Sequence, residues 1–209
     1  MSDSNKNIAS FDEIKSEIKK ATKAAVKELF VIDEDFYYLV LAMPADARFA
    51  PYLCACSTEG LTQTVKKYIE EYGYDPNEPG LEDSLRWSSA DSPYAYFGNE
   101  KYFKDLQDLY IRRWTAVEDD NPDTWEREWL LHSKAIILAL KELDNENVFE
   151  RKNKRKHLLI NVAPDHLNVK STAYILNDKE LFEKAIDDNI LEDDAEWIMD
   201  EHGNLHIKD

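Results

Sequence analysis

The sequence predicts one α+β domain, residues 10–209, behind a flexible N-terminus at 1–9. A mostly antiparallel sheet packs with several helices, including a buried central helix. Three observations predict it. Strand-like and helix-like stretches are mixed without the regular β-α-β alternation of a doubly wound fold. Residues 36–43 are apolar on both faces, as in an inner strand covered from two sides. Residues 122–143 have helical spacing yet are apolar all round from 135 to 140, as in a helix near the centre. With 209 residues, 43% of them hydrophobic, the chain is long enough to bury such a core without disulfides.

Each element follows from local chemistry. Ser10 with Glu13 reads as a capping box opening a first helix, whose apolar stripe is Phe11, Ile14, Ile18, Ala21, Ala25 and Leu29. Lys15, Lys19, Lys23 and Lys27 recur every four residues and predict a solvated face. Pro44 stops the strand at 36–43. A second strand at 52–56 follows Pro51 closely enough for an antiparallel pair. Ser57 or Thr58 then caps a helix carrying Leu61, Val65, Ile69 and Tyr72.

Residues 73–83, with Pro76, Pro79 and Gly80, read as a loop. Residues 85–87 read as a short strand, and 99–114 as a helix with Phe103, Leu106 and Tyr110 on one face. Pro122 suits the first turn of the central helix, where Trp125, Trp129, Ile136, Leu140 and Leu143 form a stripe. A basic run, Arg151, Lys152, Lys154, Arg155 and Lys156, reads as a solvated turn before a strand at 158–162. Another strand is expected at 173–176. Asn177 with Glu180 caps a last helix through Ile186, and 197–207 forms a hairpin turning at Gly203 and Asn204.

Charge narrows the partners. The net charge of -17, from 43 acidic and 26 basic residues, repels phosphate backbones and anionic lipid heads. Nucleic acid and membrane surfaces are poor partners on this ground, basic proteins or cationic ligands are better ones, and the same charge also serves plain solubility. The acidity is uneven: residues 178–201 hold eleven acidic and two basic side chains, a net of -9. The C-terminal segment 178–209, with Asp193 and Asp194, is therefore a candidate partner-binding region. No apolar run approaches the ~20 residues of a membrane helix. The first seven residues are polar, unlike a signal peptide. Two cysteines one residue apart make no disulfide framework, so a cytoplasmic location is expected.

The five glycines, at 60, 73, 80, 98 and 203, are too scattered for a phosphate-cradling loop. No zinc-binding H-E-x-x-H, nucleophile elbow or calcium loop is present, and neither cofactor nor metal is expected. Cys54 and Cys56 read as small apolar residues on an inner strand, and His132 as a satisfied core histidine. Asp165 and His166 follow Pro164 in an expected loop and could act as an acid–base pair. Residues 86–103 concentrate Trp87, Tyr94, Tyr96, Phe97, Tyr102 and Phe103. Such rings suit an interface or a cleft, and equally the edge of a core under a loop.

Several segments, in this order, resemble the bacterial domain-of-unknown-function family 4303. They are Cys56-Ser57-Thr58-Glu59 with Leu61 opening a helix after a strand, then Leu85-Arg86-Trp87. Next comes Ala139-Leu140-Lys141-Glu142-Leu143-Asp144-Asn145-Glu146 with Phe149, followed by basic residues and a strand at 157–162, and last Leu176-Asn177 before the final helix. The resemblance spans about residues 10–188. The sequence departs from the family at Ser57-Thr58-Glu59-Gly60, where Asn-Thr-Glu-Glu is expected, and at Asn147, where a turn glycine is expected. The resemblance implies one α+β domain in a cytosolic bacterial setting. It brings no agreed activity, and it implies protein binding through an association with toxin–immunity systems.

The expected function is thus a protein-interaction module, of toxin–immunity type, that binds a basic partner through an acidic surface. The alternative is a small-ligand binder or enzyme whose cleft is walled by residues 86–103. Arg86 would hold an anion there, beside Trp87, Tyr94 and Tyr96, with Asp165 and His166 for acid–base work.

Overall fold

The computed structural model describes residues 8–44, 46–117, 122–151, 155–163, 169–187, 197–199 and 205–207. In chain order the elements are α1 (Phe11–Leu29), β1 (Phe36–Ala42), β2 (Tyr52–Ser57), α2 (Thr58–Tyr72), α3 (Leu81–Arg86), α4 (Asn99–Tyr102) and α5 (Lys104–Val117). There follow α6 (Pro122–Asn145), β3 (Leu159–Ala163), α7 (Val169–Leu176), α8 (Lys179–Asp187), β4 (Trp197–Met199) and β5 (Leu205–Ile207). This is an α+β domain, and two of its three strand pairings are antiparallel.

The main sheet has the order β2-β1-β3, with β1 antiparallel to β2 and parallel to β3. The period of two along β1 splits its apolar run between two layers. Leu39 and Leu41, with Leu53, Ala55, Ile160 and Val162, face the core shared with α1, α5 and α6. Tyr38 and Val40, with Cys54, Cys56 and Leu159, face a second layer containing Ala173 of α7 and the partly buried Trp87, Ala95 and Phe182. The expectation of an inner strand covered on both faces is met. The β4–β5 pair is antiparallel with Trp197 opposite Ile207; its turn at Gly203 and Asn204 lies outside the described residues.

The helices assemble by amphipathicity and capping. Ser10 and Glu13 form the capping box of α1, and Ser57 caps α2 by accepting the Gly60 N–H at 2.9 Å. In α6, Ala135, Ile136, Ile137, Ala139, Leu140 and Leu143 are all fully buried, so the helix read as apolar all round is the central one. The lysine row of α1 is a correction. It is not merely solvated: Lys15 and Lys19 grip Glu142 at 2.7 and 2.8 Å, and Lys19 and Lys23 grip Glu146 at 2.7 and 2.8 Å. Lys15, Lys19 and Lys23 zip α1 to α6.

Four further expectations are corrected. Residues 85–87 end a helix instead of forming a strand. In α3, Glu82 and Asp83 sit in the first turn, and Arg86 closes on Glu82 at 2.6 Å one turn later. Both features favour a helix. Residues 173–176 belong to helix α7, whose Thr172 hydroxyl donates to Asn161 Oδ1 at 2.5 Å on β3. The helix at 99–114 is divided at the buried Phe103 into α4 and α5. The cap of α8 is Asp178, whose carboxylate accepts the Leu181 N–H at 2.9 Å. Asn177 instead clasps Ile160 of β3, accepting its N–H at 2.9 Å and donating to its carbonyl at 2.7 Å.

Among the described residues, no helix is long and apolar enough to cross a membrane.

Candidate functional site

The aromatic segment runs along the outer edge of β2. Ser92 donates its hydroxyl to the Ala55 carbonyl, Tyr94 bridges Ala55, and the Phe97 N–H bonds the Leu53 carbonyl at 2.8 Å. Covering an open strand edge is a structural task in itself. Trp87 meets Tyr37 and Tyr38 edge-on at 5.1 and 5.6 Å, while the Tyr37 hydroxyl donates to the Arg86 carbonyl at 2.5 Å. Tyr94 packs edge-on against Phe36 at 5.2 Å; burial, then its hydrogen bond with Glu34, raises its phenol pKa. Tyr96, 57% exposed and at φ 56, stacks on Tyr52 at 4.1 Å.

Of the residues singled out in the sequence, Trp87 and Tyr94 pack on opposite faces of the sheet, Tyr96 stacks on Tyr52, and the Arg86 side chain pairs with Glu82. Asp165, His166, Asp193 and Asp194 lie outside the described residues. A cavity does open in the domain, but in another place. It measures ≈ 20 Å³ and is lined by Phe30, Asp35, Phe36, Phe149, Arg151 and Leu158. That is room for about one water molecule.

Around this cavity, distant segments of the chain are tied together. The Thr58 N–H bonds the Asp35 carbonyl at 3.1 Å, and the Glu59 carboxylate accepts the Asp35 N–H at 2.9 Å. Ser57 donates its hydroxyl to Glu34 at 2.5 Å. A Cβ on Gly60 would stand 2.8 Å from Ser57 Oγ and 3.1 Å from Pro93, so this turn of α2 needs glycine for the close approach. Arg151 donates to the carbonyls of Glu34 and Ile32 at 2.5 and 2.6 Å, and its guanidinium lies over Phe30 and Phe36 at 5.7 and 5.8 Å. Both ends of this guanidinium thus hold the α1–β1 connection.

The remaining chemical candidates are subdued by burial. Cys54 and Cys56 are buried on the second face of the sheet. Desolvation raises both thiols, Cys56 to about 12, so neither is a thiolate at neutral pH. His132 is a core residue with its ring tilted against Tyr110 at 3.9 Å, and among the described residues neither ring nitrogen has a hydrogen-bond partner. The expected core position is met, whereas the expected hydrogen-bond partner is not found among the described residues. Burial, then the nearby Arg113 charge, lowers it to about 3, which keeps it neutral. Among the described residues, no group of three or more His, Cys, Asp or Glu side chains is placed to hold a metal ion.

Ser57 to Glu59, Phe149 and the basic residue after it are among the segments on which the family resemblance stands, and they meet around one connection. The chain belongs to the domain of unknown function family DUF4303. The family's sequence pattern matches residues 18–178, from the middle of α1 to the cap of α8. No curated protein and no solved structure matches the chain. At two of the departing positions of this DUF4303 member, Ser57 and Asn147, the residue present fills a definite physical role. Ser57 caps α2 as an asparagine would. Asn147 adopts φ 58, the left-handed conformation for which glycine is the usual choice.

Sequence reasoning missed two features of this DUF4303 domain. One is the buried ion pair of Arg113 with Glu128, which is 1% exposed. The other is a tyrosine cluster, Tyr68, Tyr72 and Tyr74, at the end of α2. The four-residue spacing of Tyr68 and Tyr72 on one helix face is the signal that could have found the second.

Proposed function

We propose that this DUF4303 protein is a protein-binding module that takes a basic protein partner on an acidic surface, in the manner of a cytoplasmic immunity protein masking a toxin. The observation that carries the reading is how the positive charge is used. Lys15, Lys19 and Lys23 neutralise Glu142 and Glu146, Arg113 neutralises Glu128, Arg155 neutralises Asp144, and Arg151 binds backbone carbonyls. Six of the 26 basic side chains are held in these contacts. The acidic excess of -17 is left for the surface, where it favours fast, salt-sensitive association with a basic partner.

The alternative, a small-ligand cleft walled by residues 86–103, has less support. Trp87 and Tyr94 pack inward, and the ≈ 20 Å³ cavity is lined by neither. Affinity capture from the source-cell lysate with the tagged full chain tests the proposal. A basic protein should be retained at low salt and released at high salt. Recovery of nothing at low salt, or of a partner indifferent to salt, would contradict it.

A further inference from the structure

Tyr68 and Tyr72 are four residues apart and share a face of α2. Gly73, at φ 75, then turns the chain back, and the Tyr74 N–H bonds the Tyr68 carbonyl at 3.2 Å. Tyr68 thereby meets Tyr72 at 5.1 Å and Tyr74 at 5.2 Å. The outer two rings remain in water, Tyr72 56% and Tyr74 46% exposed. Clustered, exposed tyrosines are typical of interface cores and not of ordinary surface.

The charge around them is acidic. Residues 66–91 carry seven acidic and three basic side chains, a net of -4, and Glu70, Glu71, Asp75 and Glu78 are exposed. Two of the three bases are paired, Lys66 with Glu70 at 3.8 Å and Arg86 with Glu82 at 2.6 Å. The third shows what the rings can do: Lys67 Nζ lies 5.5 Å from the centre of the Tyr72 ring. A ring face in water attracts a cation through its quadrupole. A second copy of the chain would bring like charge to the same place and be repelled.

We propose that the Tyr68–Tyr72–Tyr74 face is the docking surface for the basic partner, receiving arginine and lysine side chains on its rings and beside its carboxylates. This rests on the protein-binding reading above, and it places the surface on α2 instead of the acidic C-terminal segment. Tyr68 donates its hydroxyl to Asp91 at 2.6 Å, which fixes the innermost ring and pre-forms the face.

The test uses the full chain and a fluorescent deca-arginine peptide, followed by anisotropy at low salt. The variants are Tyr72→Ala with Tyr74→Ala, which leaves the charge unchanged, and Asp193→Asn with Asp194→Asn. Circular dichroism melts verify that each folds. The tyrosine double variant should weaken binding about tenfold, and the aspartate pair should weaken it less. Equal affinity of wild type and tyrosine variant overturns the docking surface while leaving the acidic-module reading intact. No binding by the wild type overturns both. A dimer of the wild type that is lost in the tyrosine variant would overturn it in favour of self-association.

Discussion

Asn147 closes α6 with a bond pattern that only a left-handed residue permits. The Val148 N–H reaches the Leu143 carbonyl at 3.0 Å and the Asn147 N–H reaches Asp144 at 2.9 Å, with Asn147 at φ 58. That is a Schellman ending with asparagine at the glycine position. Asn147→Gly should leave stability within about 0.5 kcal/mol of wild type, whereas Asn147→Val should cost about 1–2 kcal/mol, read from urea midpoints. His132 carries a second residue-scale prediction. Its folded value of about 3 lies below the ordinary 6.5, so the unfolded chain binds the extra proton first. Stability is full above pH 6.5 and declines as the pH falls toward 3. His132→Leu should flatten that part of the pH–stability curve. An unchanged curve would show that the imidazole is not buried neutral.

At the scale of elements, the lysine row of α1 and the Arg113–Glu128 pair hold α6 in different ways. The Lys15–Lys19–Lys23 row against Glu142 and Glu146 is partly exposed, so it should weaken as salt screens it. Its hydrogen bonds to Lys19 and Lys23 hold the Glu146 carboxyl at about 2, against 4.5 for a free one. That contribution is present above pH 4.5 and is lost on acidification toward pH 2. Glu142→Gln with Glu146→Gln should therefore reduce both salt sensitivity and acid sensitivity of the melting temperature. The Arg113–Glu128 pair is shielded, with the two side chains 13% and 1% exposed. Glu128→Ala would strand a buried guanidinium and should cost about 3 kcal/mol, with little dependence on salt.

For the whole molecule, what could be read in advance depended on the range of the forces involved. The capping box at Ser10, the doubly apolar β1 and the buried α6 are written in neighbouring residues, and they appear as expected. The role of the lysine row was hidden because its carboxylates lie more than 120 residues away in sequence. Helix α7 was misread because its sequence, VKSTAYIL, is rich in residues that also suit strands; packing of Thr172 and Ala173 on β3 decides in favour of the helix. Helix α3 carried its own signs, acids first and Arg86 last, but is only six residues long. The aromatic segment was visible by composition, yet composition does not distinguish a cleft wall from the cover of a strand edge.

The central claim, that an acidic module captures a basic protein, is tested most directly by association kinetics. The captured partner would be mixed with the full chain in a stopped-flow instrument across a range of ionic strengths. The account predicts an association rate that falls at least about tenfold as salt rises from about 0.01 to 0.5 M, with dissociation changing far less. An association rate that stays flat over that range would contradict it.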